Sequence, residues 1–252
     1  MRANAIVERQ IVFGTRQVPY TLIRQDRKRV RIVVTPDLNV TVSVPKRAKE
    51  QELGELLQKR ARWVVQKIDQ MKVFHPLPAP PEYVSGETFR YLGRQYRLKV
   101  ETGPKGPAKL KGKFLTVTVS NKQDRDAVKK SVENWYRQRA EETFARYLNK
   151  CADVAERHNI PTATLTLRKM RTRWGSCSSR GRITISTNLI QAPVHCIEYV
   201  IMHELCHLKH HNHSKAFYKL LTQCMPDWHK RKTALQKVII PLEKSRNTRP
   251  PR

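Results

Sequence analysis

Apolar and polar positions alternate in short runs over the first hundred residues, at 11–13, 18–23, 30–35, 40–44, 89–92 and 96–100. A period of two is the signature of half-buried strands, so these runs predict an antiparallel β-rich region. One segment among them keeps a different period. From Glu50 to Met71, the residues Leu53, Leu56, Leu57, Ala61, Val64, Val65 and Ile68 recur at helical spacing, which predicts an amphipathic helix over about 50–71. Pro76, Pro78, Pro80 and Pro81 end it and mark the clearest linker in the chain. The Gly/Pro/Lys stretch 103–112 predicts a hairpin tip before a strand at 114–119, and no internal repeat is visible.

The pattern changes after Asp124. Val128, Val132, Trp135, Tyr136, Ala140, Phe144, Tyr147, Leu148 and Cys151 return every three or four residues and predict a long helix. Short strands come next at 164–167 and 183–186, bracketing a polar turn around Gly175 and Gly181. A second helix begins after Ala192, with Pro193 in the first turn, where proline is tolerated. The fold class is therefore α+β. The expected organisation is a β-rich N-terminal region at 1–122, a helix-and-sheet catalytic region at 123–243, and a flexible basic tail at 244–252.

Composition narrows the class. The chain has 252 residues, of which 39% are apolar, enough to build a core. Lys and Arg exceed Asp and Glu so far that the net charge is +29. Such a field attracts polyanions, which makes DNA, RNA or a phosphate-bearing substrate candidate partners. Five cysteines, with no CxxC pair, argue against a disulfide scaffold or a cysteine zinc ribbon. No run of apolar residues approaches a membrane span, and Glu8 and Arg9 precede any signal-peptide-like stretch, so a soluble cytoplasmic protein is expected. Oligomeric state is not readable.

The candidate chemistry lies on the second predicted helix. Five of the nine histidines fall within His203-Glu-Leu-Cys-His-Leu-Lys-His-His-Asn-His213, which opens with HExxH. A spacing of four puts His203 and His207 one turn apart on one helical face, where both can reach a single Zn²⁺, with Glu204 beside them as general base. A catalytic zinc needs a third protein ligand and an open position. His210, His211 and His213 are all close by. His213 is preferred because it lies six residues beyond His207, the metzincin spacing. A glycine makes the turn in that pattern; here that position is His210, so the turn falls to His211 or Asn212, with Asn212 the expected helix stop. Met225 is read as a core residue at a helix end rather than a Met-turn.

The segment from Arg171 to Tyr218 resembles the YgjP-like metallopeptidase family. The resemblance rests on Arg-Trp-Gly-Ser-Cys-Ser at 173–178, Asn-Leu-Ile-x-Ala-Pro at 188–193 and HELxHLxHxNHSxxF at 203–217. More loosely it extends from about Tyr20 to Leu242, and the HExxH helix is similar to those of WLM and SprT-like families. It implies a zincin-like fold with His203, His207 and His213 as ligands of one zinc per chain, Glu204 as the catalytic base and no role for the Cys206 thiol.

On this reading zinc acidifies a water, Glu204 takes its proton, and the attack falls on a carbonyl or phosphoryl centre. Arg173, Trp174, Ser176 and Tyr218 are candidate contacts to substrate or transition state, although the turn at 173–176 is read first as a packing element in which Trp174 fills the space between sheet and helix. The strand at 183–186 is the expected rim for an extended peptide. Three functions compete: a zinc metallopeptidase acting near nucleic acid; a metal-dependent nucleotide hydrolase that would use Arg168, Arg171 or Arg173; and a non-enzymatic nucleic-acid-binding module stapled by zinc.

Overall fold

Strands β1 (Ile6–Phe13), β2 (Arg16–Gln25), β3 (Arg31–Val34) and β4 (Val40–Pro45) form one sheet in the order β1-β2-β4-β3, followed by helix α1 (Glu50–Lys72), in a computed structural model that describes residues 6–72, 75–104, 106–170, 173–178 and 180–238. Period-two burial drives the sheet: β2 turns Val18, Tyr20 and Leu22 inward, and β4 does the same with Val40, Val42 and Val44. Against them α1 lays Leu53, Leu57, Ala61, Val64, Val65 and Ile68. Arg9 and Arg24 both reach Glu50 in the first turn of α1, and Arg16 grips Asp69 with two hydrogen bonds of 2.7 and 2.8 Å.

The chain divides into two compact units, Met1–Leu77 and Pro78–Arg252. The second opens with β5 (Thr88–Tyr91), β6 (Arg94–Thr102), β7 (Lys109–Lys111) and β8 (Phe114–Val119), in the order β5-β6-β8-β7, followed by α2 (Arg125–Arg157). This repeats the first unit's topology. In each sheet the two outer pairs are antiparallel and the central pair is parallel, β2 with β4 and β6 with β8. The strands are thus mixed rather than purely antiparallel, because each second hairpin inserts its later strand beside the first. A ββββα repeat is present although none is visible in the sequence; Arg-Gln at the starts of β2 and β6 is among the few identities the two share.

The division falls at the proline cluster and not at residues 122 and 123, for a physical reason. Helix α2 belongs to two cores at once. Its first half packs Val128, Val132 and Trp135 on the β5–β8 sheet, and its second half packs Ala140, Phe144, Cys151 and Ala155 into a core shared with the C-terminal helices. A boundary at its N-terminus would cut through the first of these cores.

Beyond α2 come β9 (Thr164–Arg168), β10 (Gly175–Cys177), β11 (Arg182–Ser186), a 3₁₀ helix (Thr187–Gln191), α3 (Val194–Lys209), α4 (Lys215–Cys224) and α5 (Trp228–Gln236). The three strands run in the order β10-β11-β9, with β11 antiparallel to β10 and parallel to β9. The β5–β6 hairpin tip fixes where α3 starts: Leu92 N–H donates to the Ile190 carbonyl at 2.9 Å and Gly93 N–H to that of Gln191 at 3.2 Å. Among the described residues no helix is long and apolar enough to cross a membrane. Arg171 and the tail at 244–252 lie outside the described residues.

Candidate metal centre

Helix α3 is apolar around most of its circumference, with Cys196, Ile197, Tyr199, Val200, Ile201, Met202, Leu205 and Cys206 all buried. It therefore runs through the core of the second unit and carries its polar residues inward with it. His203 and His207 lie one turn apart and are half-buried, as the spacing predicts. The chain leaves the helix at His210, whose extended backbone (φ −130°, ψ 100°) makes the turn expected of Asn212. That turn returns His213 over the helix, where its Nε2 lies 3.1 Å from that of His203 and 3.2 Å from that of His207.

Three imidazole nitrogens bound about 2.0–2.1 Å from one tetrahedral zinc would stand roughly 3.3 Å apart. The observed spacing is close to that. The tautomers fit as well: His207 Nδ1 lies 3.0 Å from the His210 carbonyl, an acceptor only, so it carries the proton and leaves Nε2 with a free lone pair. His210 thus serves the site through its backbone. The Nδ1 of His203 is buried without a hydrogen-bond partner among the described residues.

The electrostatics favour neutral, ligating imidazoles. Burial, then the neighbouring His207 and His213, push His203 down to about 3. His207 is also lowered by burial, against its bond to the His210 carbonyl, and His213 by burial and by His207. Glu204 goes the other way. Only 6% exposed, its carboxyl is pushed by burial up to about 7, opposed by the charge of Arg173.

The candidate substrate contacts separate into two groups. Arg173, Trp174 and Ser176 lie on the approach to β10 or within it, and that strand packs on α3. Trp174 packs against the same core as Leu165 and Leu167, and its carbonyl accepts from Ser186 N–H at 2.8 Å, in keeping with a packing role. Tyr218 sits on α4 with its ring stacked on His213, centroids 6.0 Å apart. Met225 is the buried C-cap of α4. The rim strand differs from expectation. Residues 183–186 belong to β11, which is paired on both sides by the outer strands β10 and β9; of these it is β10, a segment read from the sequence as a turn, that packs on α3.

Two residues take places at the site that their sequence motifs did not assign them. Gly175 on β10 stands directly against the Glu204 side chain, and Phe217 on α4 touches all three imidazoles. Phe217 does close the HELxHLxHxNHSxxF motif, which is the only sequence signal it gives.

Converging imidazoles with a buried carboxyl one residue along are the equipment of a metal-dependent hydrolase. The class is borne out by the family to which the chain belongs. The family model described as YgjP-like, metallopeptidase domain matches residues 28–238, and the chain belongs to that family. The chain is also similar to UTP pyrophosphatase of Escherichia coli (strain K12), 34% identical over 59 residues that make up 23% of this chain and 35% of that protein. The match thus spans about a third of that relative's length. Among solved structures, the metallopeptidase zymogen abylysin of Pyrococcus abyssi overlaps 38% of this chain and 99% of its own, at 22% identity and a TM-score of 0.32.

Proposed function

We propose that the protein is a zinc-dependent hydrolase acting on peptide bonds, with His203, His207 and His213 holding one zinc ion and Glu204 as the group that moves the proton. Bound there, zinc supplies Lewis acidity to the reacting centre. The remaining steps fall to the chain. Glu204, buried one residue along from His203, can take a proton from the attacking water and return it to the leaving group. The neutral imidazoles keep their lone pairs turned to one point.

One observation carries the choice of a peptide: β10 is an outer strand of its sheet, and its Gly175 stands against Glu204. In an antiparallel pair, hydrogen-bonding groups alternate between the two sides of a strand. Ser186 N–H bonds to Trp174 O and Ser178 N–H to Arg182 O, so the N–H and C=O groups of Gly175 and Cys177 face away from β11. An extended peptide adding there would place a backbone carbonyl next to Glu204.

A second reading keeps the metal and replaces the substrate with a nucleoside triphosphate. It is favoured by the Arg173 charge acting on Glu204, by the net charge of +29, and by the name of the curated relative. The test compares wild type with Glu204→Gln, each with its bound metal quantified, against unfolded protein and against a panel of nucleoside triphosphates. Both variants are expected to hold one zinc, and only wild type to cut protein. Nucleotide hydrolysis alone, lost in Arg173→Gln, would transfer the function to the second reading. Neither activity in a zinc-loaded protein would leave a nucleic-acid-binding module.

A further inference from the structure

Phe217 contacts every imidazole of the cluster. Its ring centroid lies 5.0 Å from that of His203 and 4.9 Å from that of His213, both edge-on at 71° and 80°, and 4.5 Å from that of His207, stacked at 28°. The ring is fully buried, and Phe217 N–H donates to the Ser214 hydroxyl that caps α4, which ties the ring to the helix start.

The next residue also packs on the third imidazole, beside Phe217. Tyr218 stacks on His213 at an interplanar angle of 27° and on Trp228 at 19°, with centroids 6.0 and 5.3 Å away. Thr222 then locks the stack, its hydroxyl donating to the Tyr218 carbonyl at 2.8 Å and accepting from Trp228 Nε1 at 3.0 Å. This matters most for His213. His203 and His207 inherit their placement from α3, whereas His213 lies between α3 and α4, outside any regular element. The imidazole torsion is soft, so packing has to set the ring's direction.

We propose that Phe217 and Tyr218 are positioning residues that hold the three imidazoles ready for the metal, Phe217 as a wall common to all three and Tyr218 as the backing of His213. The inference rests on the reading of the triad as a metal site. It assigns Tyr218 a role for its ring, beside the contact to substrate or transition state expected from the sequence.

The test uses the full chain as wild type, Phe217→Leu, Tyr218→Leu and Tyr218→Phe. Zinc affinity is measured by competition with a chromophoric chelator, the ligand field by the visible spectrum of the cobalt(II)-loaded protein, and folding by circular dichroism. Phe217→Leu and Tyr218→Leu are expected to weaken zinc binding about 10-fold or more, with altered cobalt bands, in chains that remain folded. Tyr218→Phe keeps the ring and is expected to bind within about 2-fold of wild type. If Phe217→Leu fails to fold, the two Tyr218 variants still decide. Wild-type affinity and spectra in both leucine variants would overturn the proposal, as would a loss in Tyr218→Phe equal to that in Tyr218→Leu. A wild-type protein that binds no stoichiometric metal would instead remove the metal-site reading itself.

Discussion

Gly175 lies so close to Glu204 that a Cβ built on it would stand 2.6 Å from Oε1, 2.8 Å from Cγ and 2.9 Å from Cδ. Nothing larger than a hydrogen fits between the edge strand and the carboxyl. Gly175→Ala must therefore shift β10 or displace Glu204, and a misplacement of about 1 Å can cost roughly 100-fold in rate. The three imidazoles are untouched by this change. The expected outcome is a fall in kcat of about 10- to 100-fold with zinc content unchanged, read from turnover and metal analysis on the same sample. Equal activity in the variant would show that Glu204 tolerates the shift.

Removal of the metal is expected to leave the fold intact. The core around α3 is built from Ile197, Ile201, Met202, Leu205, Phe217 and Leu221, all nearly or fully buried and none dependent on a metal for its contacts. A site of this kind lends stability by mass action, about 2.7 kcal/mol at a ligand concentration 100 times the dissociation constant. Chelated protein should thus keep its far-ultraviolet dichroism and melt at a lower temperature, whereas a structural zinc site would lose its fold outright.

Glu198, on α3, ties three helices together and predicts an acid-sensitive stability. It bonds Lys150 on α2 at 2.7 Å and Arg231 on α5 at 2.6 Å, with only 13% of its side chain exposed. Burial by itself would raise its pKa, but the bonds to Lys150 and Arg231 outweigh it and hold the carboxyl below the usual 4.5. A lowered folded-state pKa stabilises the protein above the unfolded value and ceases to do so as pH falls through the folded one. Wild type should therefore exceed Glu198→Gln in urea midpoint at pH 7, with the difference shrinking below pH 4.5. A difference that stays constant into acid would rule out the ion pairs as its source.

The two hairpin glycines give a matched comparison between the repeats. Gly14 and Gly93 both have positive φ, 58° and 82°, but a Cβ at Gly14 meets nothing within 4 Å, while one at Gly93 meets Pro193 Cγ at 2.9 Å. Gly14→Ala should cost about 1–2 kcal/mol from left-handed geometry alone. Gly93→Ala bears that strain and a clash with the residue that starts α3, so its loss in chemical denaturation should be the larger. It should also weaken zinc binding, because α3 carries His203 and His207.

Much of this protein was legible as local pattern. The α+β class, helices α1 and α2, the helix bearing HExxH and the return of His213 all derive from spacings of two, three, four or six residues, which the geometry of a strand or helical turn converts directly into shared faces. The motif at 203–217 carried the family resemblance for the same reason: its residues meet within one helix and the turn after it.

Relations between distant segments needed the tertiary structure. The ββββα repeat lies in the order of strand pairing, which permits almost any sequence that alternates, so residue identities do not reveal it. Strand β10 has three residues, too few to show a period, and its position at the edge is set by β11 pairing on both flanks. The α2 helix joins two cores because its 33 residues outlast either one, and that makes residue 122 an interior point of the second unit. Which residue types face one another along α3 was settled by their order in the chain. That a glycine from an edge strand seats Glu204, and that one phenylalanine borders three imidazoles, was settled by packing, since both contacts join segments whose meeting depends on how the whole unit folds.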